Sequence, residues 1–365
     1  MTTATLRIDS PLLRTSRVGT TDYWNDSCAL GELAYAIDRG AVGATSNPPI
    51  VLDVIGKEKS HWSPRLRELN AANPGWTETD LAWTVVEEMG VRGAALLAGI
   101  HAETGGRKGW LSLQVDAANH SVPNRMVEQA VHLASLAPNI QVKLPATSAG
   151  IVALEEATAR GVNVNATVSF TLPQAIAAAE AIERGLARLE ASSGDASRLA
   201  PTVVIMIGRL DDWLKAVADR DLLSIKPGVL DWAGIAIMKR ANRIFVERGF
   251  RSRLLAAAFR HHLHWTELVG GRVILTIPPA WQVRFNRSGI EPSSRLDLPV
   301  DPAILRELAA IPDFRRAFEP DGMTPEQFDS FGATVRTLRG FIKAFRDVEG
   351  VVRDTVLPNP DIRPA

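Results

Sequence analysis

A lysine inside an otherwise apolar, strand-like run is the residue best placed to do chemistry in this chain. Lys143 stands in IQVKLPAT, where Gln141 has its parity and Val142 and Leu144 have the other. Side chains alternate faces along a strand, so Lys143 and Gln141 share one face. An ammonium in a low-dielectric interior tends to lose its proton, more so beside other cations. The neutral amine is then a nucleophile that forms Schiff bases with carbonyl compounds. The alternative is a structural ion pair between Lys143 and Asp26 or Asp116. Asp26, in WNDSC at the end of the first strand-like run, is a candidate mouth-facing carboxylate. Its alternative is to be the N-cap of a helix over 28–39, a role for which Ser27 competes. Arg209 ends the apolar segment IMIGRL and Arg260 stands in AAAFRHH. Two guanidinium groups on neighbouring rims suit a phosphate, because each donates two parallel hydrogen bonds. Either could instead pair at the surface with Asp211, Asp212 or Glu267.

The same parity argument extends to other runs. In VNVNATV the polar residues Asn163, Asn165 and Thr167 share one face and the valines the other, and WLSLQVD repeats this with Ser112, Gln114 and Asp116. Other motifs carry less. His261, His264 and their neighbour His262 lie close together, but HHLH lacks a zinc spacing, so no metal is expected. No H-E-x-x-H, P-loop or G-x-S-x-G string occurs. TGGRKG (104–109) precedes a strand instead of following one and reads as a loop, and Cys28 reads as a buried apolar residue.

The elements that must position these residues alternate. Strand-like runs cover 20–24, 40–45, 110–115, 140–144, 162–170, 201–210 and 272–277, with 251–258 ambiguous by pattern. Helical periodicity fills 28–39, 78–101, 122–136, 148–160, 171–187 and 231–248, and 188–200 reads as an exposed polar loop. Strands separated by helices imply βαβ units and a parallel sheet. The absence of G-x-G-x-x-G after the first strand argues against a dinucleotide-binding open sheet. The expected fold is therefore α/β, a (β/α)8 TIM barrel, in which one parity of each strand points to the axis and the site opens at the C-terminal mouth. Residues 1–19 read as an N-terminal arm, 20–290 as the barrel, and 291–365 as a C-terminal helical extension of the same domain. Helices there are expected over 301–310 and 324–347, with joints near 288–300 and 312–324.

Composition bounds the function classes. The chain has 365 residues, with 41 Lys+Arg against 41 Asp+Glu, so no polyanion footprint points to a nucleic-acid partner. A single cysteine excludes internal disulfides and thiolate clusters. No apolar run reaches membrane-spanning length and the first residues lack a signal core, so the expectation is a cytoplasmic protein with no membrane partner.

Taken in order, these segments resemble the transaldolase family of Schiff-base aldolases, over roughly residues 20–285. GATSNPP (43–49) is similar to its second-strand motif, IQVKLPATSAG (140–150) to the segment with its Schiff-base lysine, and GVNVNATVSF (161–170) to its most specific motif. IGRL (207–210), AAAFR (256–260) and ILTIPPA (274–280) resemble three later segments. The resemblance implies a barrel that moves a dihydroxyacetone unit from a ketose phosphate to an aldose phosphate, with no metal or organic cofactor. It puts the Schiff base on Lys143 and proton transfer on Asp26. Thr45, Asn47 and Asn165 would bind substrate, Thr167 would help hold the catalytic water, and Arg209 and Arg260 would grip the phosphate. The expected partners are phosphorylated sugars and a second copy of the chain in a homodimer.

Four positions depart from the pattern. Gln114 stands where transaldolases carry a glutamate, and an amide can orient water but not take its proton. That favours the family's fructose-6-phosphate aldolase branch, yet Met206 replaces the tyrosine of that branch, and Val204 and Ala258 replace serines. Transfer and simple aldol cleavage, with release of dihydroxyacetone, both stay open.

Overall fold

A computed structural model describes residues 7–361. Eight strands form one sheet: β1 Asp22–Asn25, β2 Gly43–Thr45, β3 Trp110–Gln114, β4 Ile140–Pro145, β5 Val164–Thr167, β6 Thr202–Ile205, β7 Arg253–Ala256 and β8 Val273–Ile277. Each pairs in parallel with the next, and β1 closes on β8 from Asp22↔Ile274 to Asn25↔Ile277, so the sheet is a closed barrel. The strands are short and buried on both faces, as expected when helices cover a parallel sheet. This is the (β/α)8 TIM barrel with additional C-terminal helices packed on it. The ambiguous segment 251–258 is a strand, because β7 pairs with both β6 and β8.

Outward residues such as Leu111, Val142, Val164 and Val203 are wholly covered and build the layer between strands and helices. Inward residues are polar at mid-depth. Ser112 Oγ donates to Gln141 Oε1 at 2.7 Å, and Thr202 Oγ1 and Asn165 Nδ2 reach the same oxygen at 3.3 and 3.2 Å. Buried polar groups hold their place when bonded, so this cluster is a fixed floor beneath Lys143.

Several boundaries differ from expectation. Residues 46–77 contain two helices, Pro48–Lys57 and Lys59–Ala72. The helix after β5 runs from Leu172 to Ala191, so the start of 188–200 is helical, held by Arg188 on Glu155 and Glu156. Proline at the first helical position starts helix Pro312–Phe318 where a joint was expected. The region 324–347 divides into Pro325–Phe328 and Gly332–Val356. Helix Gly332–Val356 packs across the mouth side, against helices Pro48–Lys57, Lys59–Ala72, Glu78–Glu103 and Ile207–Arg220. Among the described residues, no helix is long and apolar enough to cross a membrane.

Candidate active site

Lys143 enters the barrel from β4, between Gln114 of β3 and Asn165 of β5, its register partners. It is 4% exposed, and its Nζ donates to the Ser46 carbonyl at 2.9 Å. No carboxylate forms an ion pair with it among the described residues, so neither structural pairing weighed above is made. Its pKa is lowered to about 8, chiefly by burial, with Asp26 opposing the shift and Arg209 adding to it. Roughly a tenth of such a lysine is free amine at pH 7, against about one in three thousand for an ordinary one.

Above this amine lies a cavity of about 160 Å3 at the C-terminal ends of the strands. Asp26, Thr45, Asn47, Lys143, Thr167, Arg209 and Arg260 line it, whereas Gln114 and Asn165 lie beside Lys143 without lining it. Wider hollows lie elsewhere, one between Arg240, Glu247 and Phe318 and one near His101 and Trp110. Neither contains a buried nucleophile.

Asp26 follows β1 directly and is not a helix cap. The next helix, Leu30–Ile37, begins after Ala29, and it is Ser27 Oγ that accepts the Ala29 N–H. Thr45 Oγ1 donates to Asp26 Oδ1 at 2.7 Å. Its single proton is thereby used, so the 2.7 Å contact to Thr276 Oγ1 is one that Thr276 donates. Thr45 thus serves to hold Asp26. Gln282 fixes the turn from below, donating to Asn25 Oδ1 and the Ile277 carbonyl. Burial raises the Asp26 pKa, opposed by the Thr45 hydrogen bond and then by the charges of Lys143, Arg209 and Arg260.

Asn47 is the N-cap of helix Pro48–Lys57, its Oδ1 accepting from Ile50 N at 3.0 Å, which leaves its amide protons for the cavity. Asn165 is oriented the other way. Its Nδ2 donates to the floor at Ser112 Oγ and Gln141 Oε1, and its Oδ1 has no partner among the described residues. The buried Gln114 Oε1 and Thr167 Oγ1 are likewise unpartnered. Three buried polar oxygens near one amine thus lack partners among the described residues, and such groups are costly to leave unbonded. Val168, next to Thr167, has φ 51, a conformation that β-branched residues rarely adopt.

Arg209 does not end a strand. β6 stops at Ile205, and Arg209 lies in the first turn of helix Ile207–Arg220. The apolar string VVIMI hides this boundary, because a buried helix start reads like a strand. Arg209 is half-buried, stacks 5.1 Å over the Phe341 ring, and makes no ion pair among the described residues. Arg260 is more exposed, and its Nε and Nη2 bond Asp212 Oδ2 at 3.0 and 2.8 Å. The surface-pair alternative thus holds for Arg260 and fails for Arg209. Val204, Met206, Leu255, Ala257 and Ala258 make the apolar wall beneath them.

Two contributors escaped sequence reasoning, Thr276 and the Ser46 carbonyl. Thr276 sits at inward parity in ILTIPP, a signal that could have found it. A main-chain carbonyl leaves no trace in residue identity. Cys28 is buried beside Ser46 Oγ, and burial pushes its thiol up to about 12, which removes it as a nucleophile.

Residues 23–314 match the family described as Transaldolase/Fructose-6-phosphate aldolase. The chain belongs to this family. A transaldolase of Neisseria gonorrhoeae is 28% identical over 266 residues, covering 68% of this chain and 75% of the relative. One from Thiobacillus denitrificans is 28% identical over 301 residues, 75% and 81% of the two chains, and one from Frankia alni 31% over 221 residues, 58% of each. This member of the transaldolase family is an enzyme that works through a lysine Schiff base.

Asp211, His261 and His264 bring three possible metal-ligand atoms within 4.8 Å of one another. His264 Nδ1, however, accepts the Arg260 N–H at 3.1 Å, which puts the ring proton on Nε2, facing Asp211. A metal-bound histidine instead donates from its second nitrogen. The cluster is built as a hydrogen-bonded pair.

Proposed function

We propose that the protein transfers a dihydroxyacetone unit from a ketose phosphate to an aldose phosphate, with Lys143 as the Schiff-base residue. The observation that carries this is a buried, unpaired lysine with a depressed pKa, sharing one small cavity with a held carboxylate and an uncommitted arginine.

Neutral Lys143 attacks the donor ketone carbon, and loss of water gives an iminium. Asp26 takes the proton of the C4 hydroxyl. The C3–C4 bond then breaks, its electrons flow into the iminium, and an aldehyde leaves an enamine behind. The enamine adds to the acceptor aldehyde, and protonated Asp26 returns its proton to the new alkoxide. Water hydrolyses the iminium and frees the ketose and the amine. The raised pKa of Asp26 suits a group that must hold the proton between these steps. Asn47 and Asn165 bind substrate hydroxyls, Thr167 and Gln114 orient water, and Arg209 and Arg260 receive the phosphate, which contributes positioning.

Borohydride reduction in the presence of fructose 6-phosphate, followed by peptide mass analysis, tests the assignment. The label is expected on Lys143. Labelling of Lys57, Lys59 or Lys108, or none at all, would overturn it.

Gln114 supports a second reading, in which the enamine is protonated and dihydroxyacetone released without an acceptor. Product analysis with and without an aldose phosphate separates the two. A Gln114→Glu change supplies the missing base, worth about 10²–10⁴ when positioned. It is expected to speed hydrolysis of the unreduced iminium while leaving donor cleavage near its original rate. No change in adduct decay would remove Gln114 from water handling.

A further inference from the structure

The histidines that carry no metal spacing lie directly behind the anion-binding arginines. Asp211 follows Arg209 by two residues in helix Ile207–Arg220, and His264 lies in the short helix Leu263–Thr266 after β7. Both side chains are fully buried. The Arg260 N–H donates to His264 Nδ1 at 3.1 Å, His264 Nε2–H donates to Asp211 Oδ2 at 2.8 Å, and Asp211 Oδ1 accepts the Gly234 N–H at 2.8 Å. One chain of bonds thus ties the turn after β7 to the turn after β6 and to helix Ala233–Glu247. A well-packed apolar pair in this place is often as stabilising or more so. What the polar pair adds is direction.

The two turns need it. A Cβ at Gly208 would stand 1.9 Å from the Ala258 carbonyl oxygen, so the turns touch backbone to backbone between the two arginines. Ala258 has φ 67, a left-handed conformation that persists in a non-glycine residue only when its surroundings over-determine it. The His264 bond grips the chain two residues later, at Arg260.

We propose that Asp211 and His264 are positioning residues for the anion end of the site, locking the turn that carries Arg260 to the turn that carries Arg209 so that both guanidinium groups meet one phosphate. This rests on the reading of that end as the phosphate subsite. The link is also sensitive to acid. The charged and titratable groups acting on His264 are Asp211 from helix Ile207–Arg220, together with His261, its ring centroid 3.7 Å away and tilted, and Arg260 from its own segment, while helix Ala233–Glu247 offers the Gly234 amide to Asp211. Burial lowers the His264 pKa, so Nδ1 remains an acceptor at neutral pH. Protonation would turn it into a donor facing the Arg260 N–H.

Two measurements on the intact protein test this. In the first, inorganic phosphate protects Arg209 from phenylglyoxal, read by mass spectrometry. His264→Phe is expected to raise the half-protecting concentration at least 5-fold, and His264→Asn, whose Oδ1 can still accept the Arg260 N–H, to recover part of that loss. In the second, adduct trapping is titrated with fructose 6-phosphate and with dihydroxyacetone. His264→Phe is expected to shift half-saturation for the phosphorylated donor at least 5-fold and for dihydroxyacetone less than 2-fold, and His264→Asn to shift the former less. As pH falls below the ordinary histidine range, the unmodified protein should lose phosphate affinity more steeply than His264→Asn, the titration of phosphate itself being common to both. Equal shifts for both donors, or unchanged phosphate protection, would overturn the inference. Should His264→Phe fail to fold, His264→Asn and Asp211→Asn carry the comparison. Phosphate protection needs no Schiff base, so absent trapping with an intact protection shift would overturn the catalytic reading alone.

Discussion

At the residue scale, the site depends on a lysine that burial has made partly neutral and a carboxylate that burial has made easier to protonate. Because the free amine is the attacking form, kcat/KM for a ketose donor is expected to rise from pH 7 and level off above about 8, where Lys143 has titrated. A pH profile flat from 7 to 9 would place the nucleophile elsewhere. The arginines are unequal. Arg209 is uncommitted, whereas Arg260 already bonds Asp212, so Arg209→Ala should raise KM for a phosphorylated donor by about 10–100-fold, the worth of a charge-assisted hydrogen bond. Arg260→Ala should raise it less, and neither should alter KM for the dephosphorylated donor. Equal effects on both donors would make the arginines structural. Parity alone placed Lys143, Asn165 and Thr167 inside, since a two-residue period survives any error in strand ends. The different duties of Thr45 and Thr276, and the pairing of Arg260, depend on cross-barrel neighbours that no single segment contains.

At the element scale, alternation of strands and helices was enough for the barrel, and even β7 was legible as an ambiguous run at the right interval. The turns were not. The segment holding Arg209 reads as a strand because a helix that starts buried is apolar on every side, and the feature that sets its place is a backbone contact. That contact yields a prediction. Gly208→Ala must push the Ala258 carbonyl away, since its Cβ would stand 1.9 Å from that oxygen. Overpacking of this kind costs typically about 1–3 kcal/mol. Denaturant unfolding should show that loss, and phosphorylated-donor KM should rise with it. Full stability in the variant would mean that the turns are free to separate. The joint expected near 312–324 hides a helix for a related reason, since Pro312, which reads as a break, is the first residue of Pro312–Phe318.

At the scale of the whole molecule, the C-terminal helix belongs to the site as well as to the fold, because Phe341 lies under the Arg209 guanidinium while Phe345 packs on Trp83. The barrel presents its lysine buried at the base of the cavity, and that burial has a cost the whole fold must carry. A lysine whose pKa falls from 10.5 unfolded to about 8 folded destabilises the native state by about 3 kcal/mol at pH 7. The sign follows from proton binding. Between pH 8 and 10.5 the unfolded chain holds the proton and the folded one has lost it, so stability rises with pH through that window and the penalty is complete only below it. Lys143→Met keeps the stem and removes the charge, at the expense of the bond to the Ser46 carbonyl, worth about 1 kcal/mol. The variant should accordingly be inactive yet more stable by about 2 kcal/mol at pH 7 in urea unfolding, with the advantage gone by pH 10. If it were no more stable than the parent at pH 7, the lysine would not be held against its preferred charge, and the physical basis for its nucleophilicity would fall with that result.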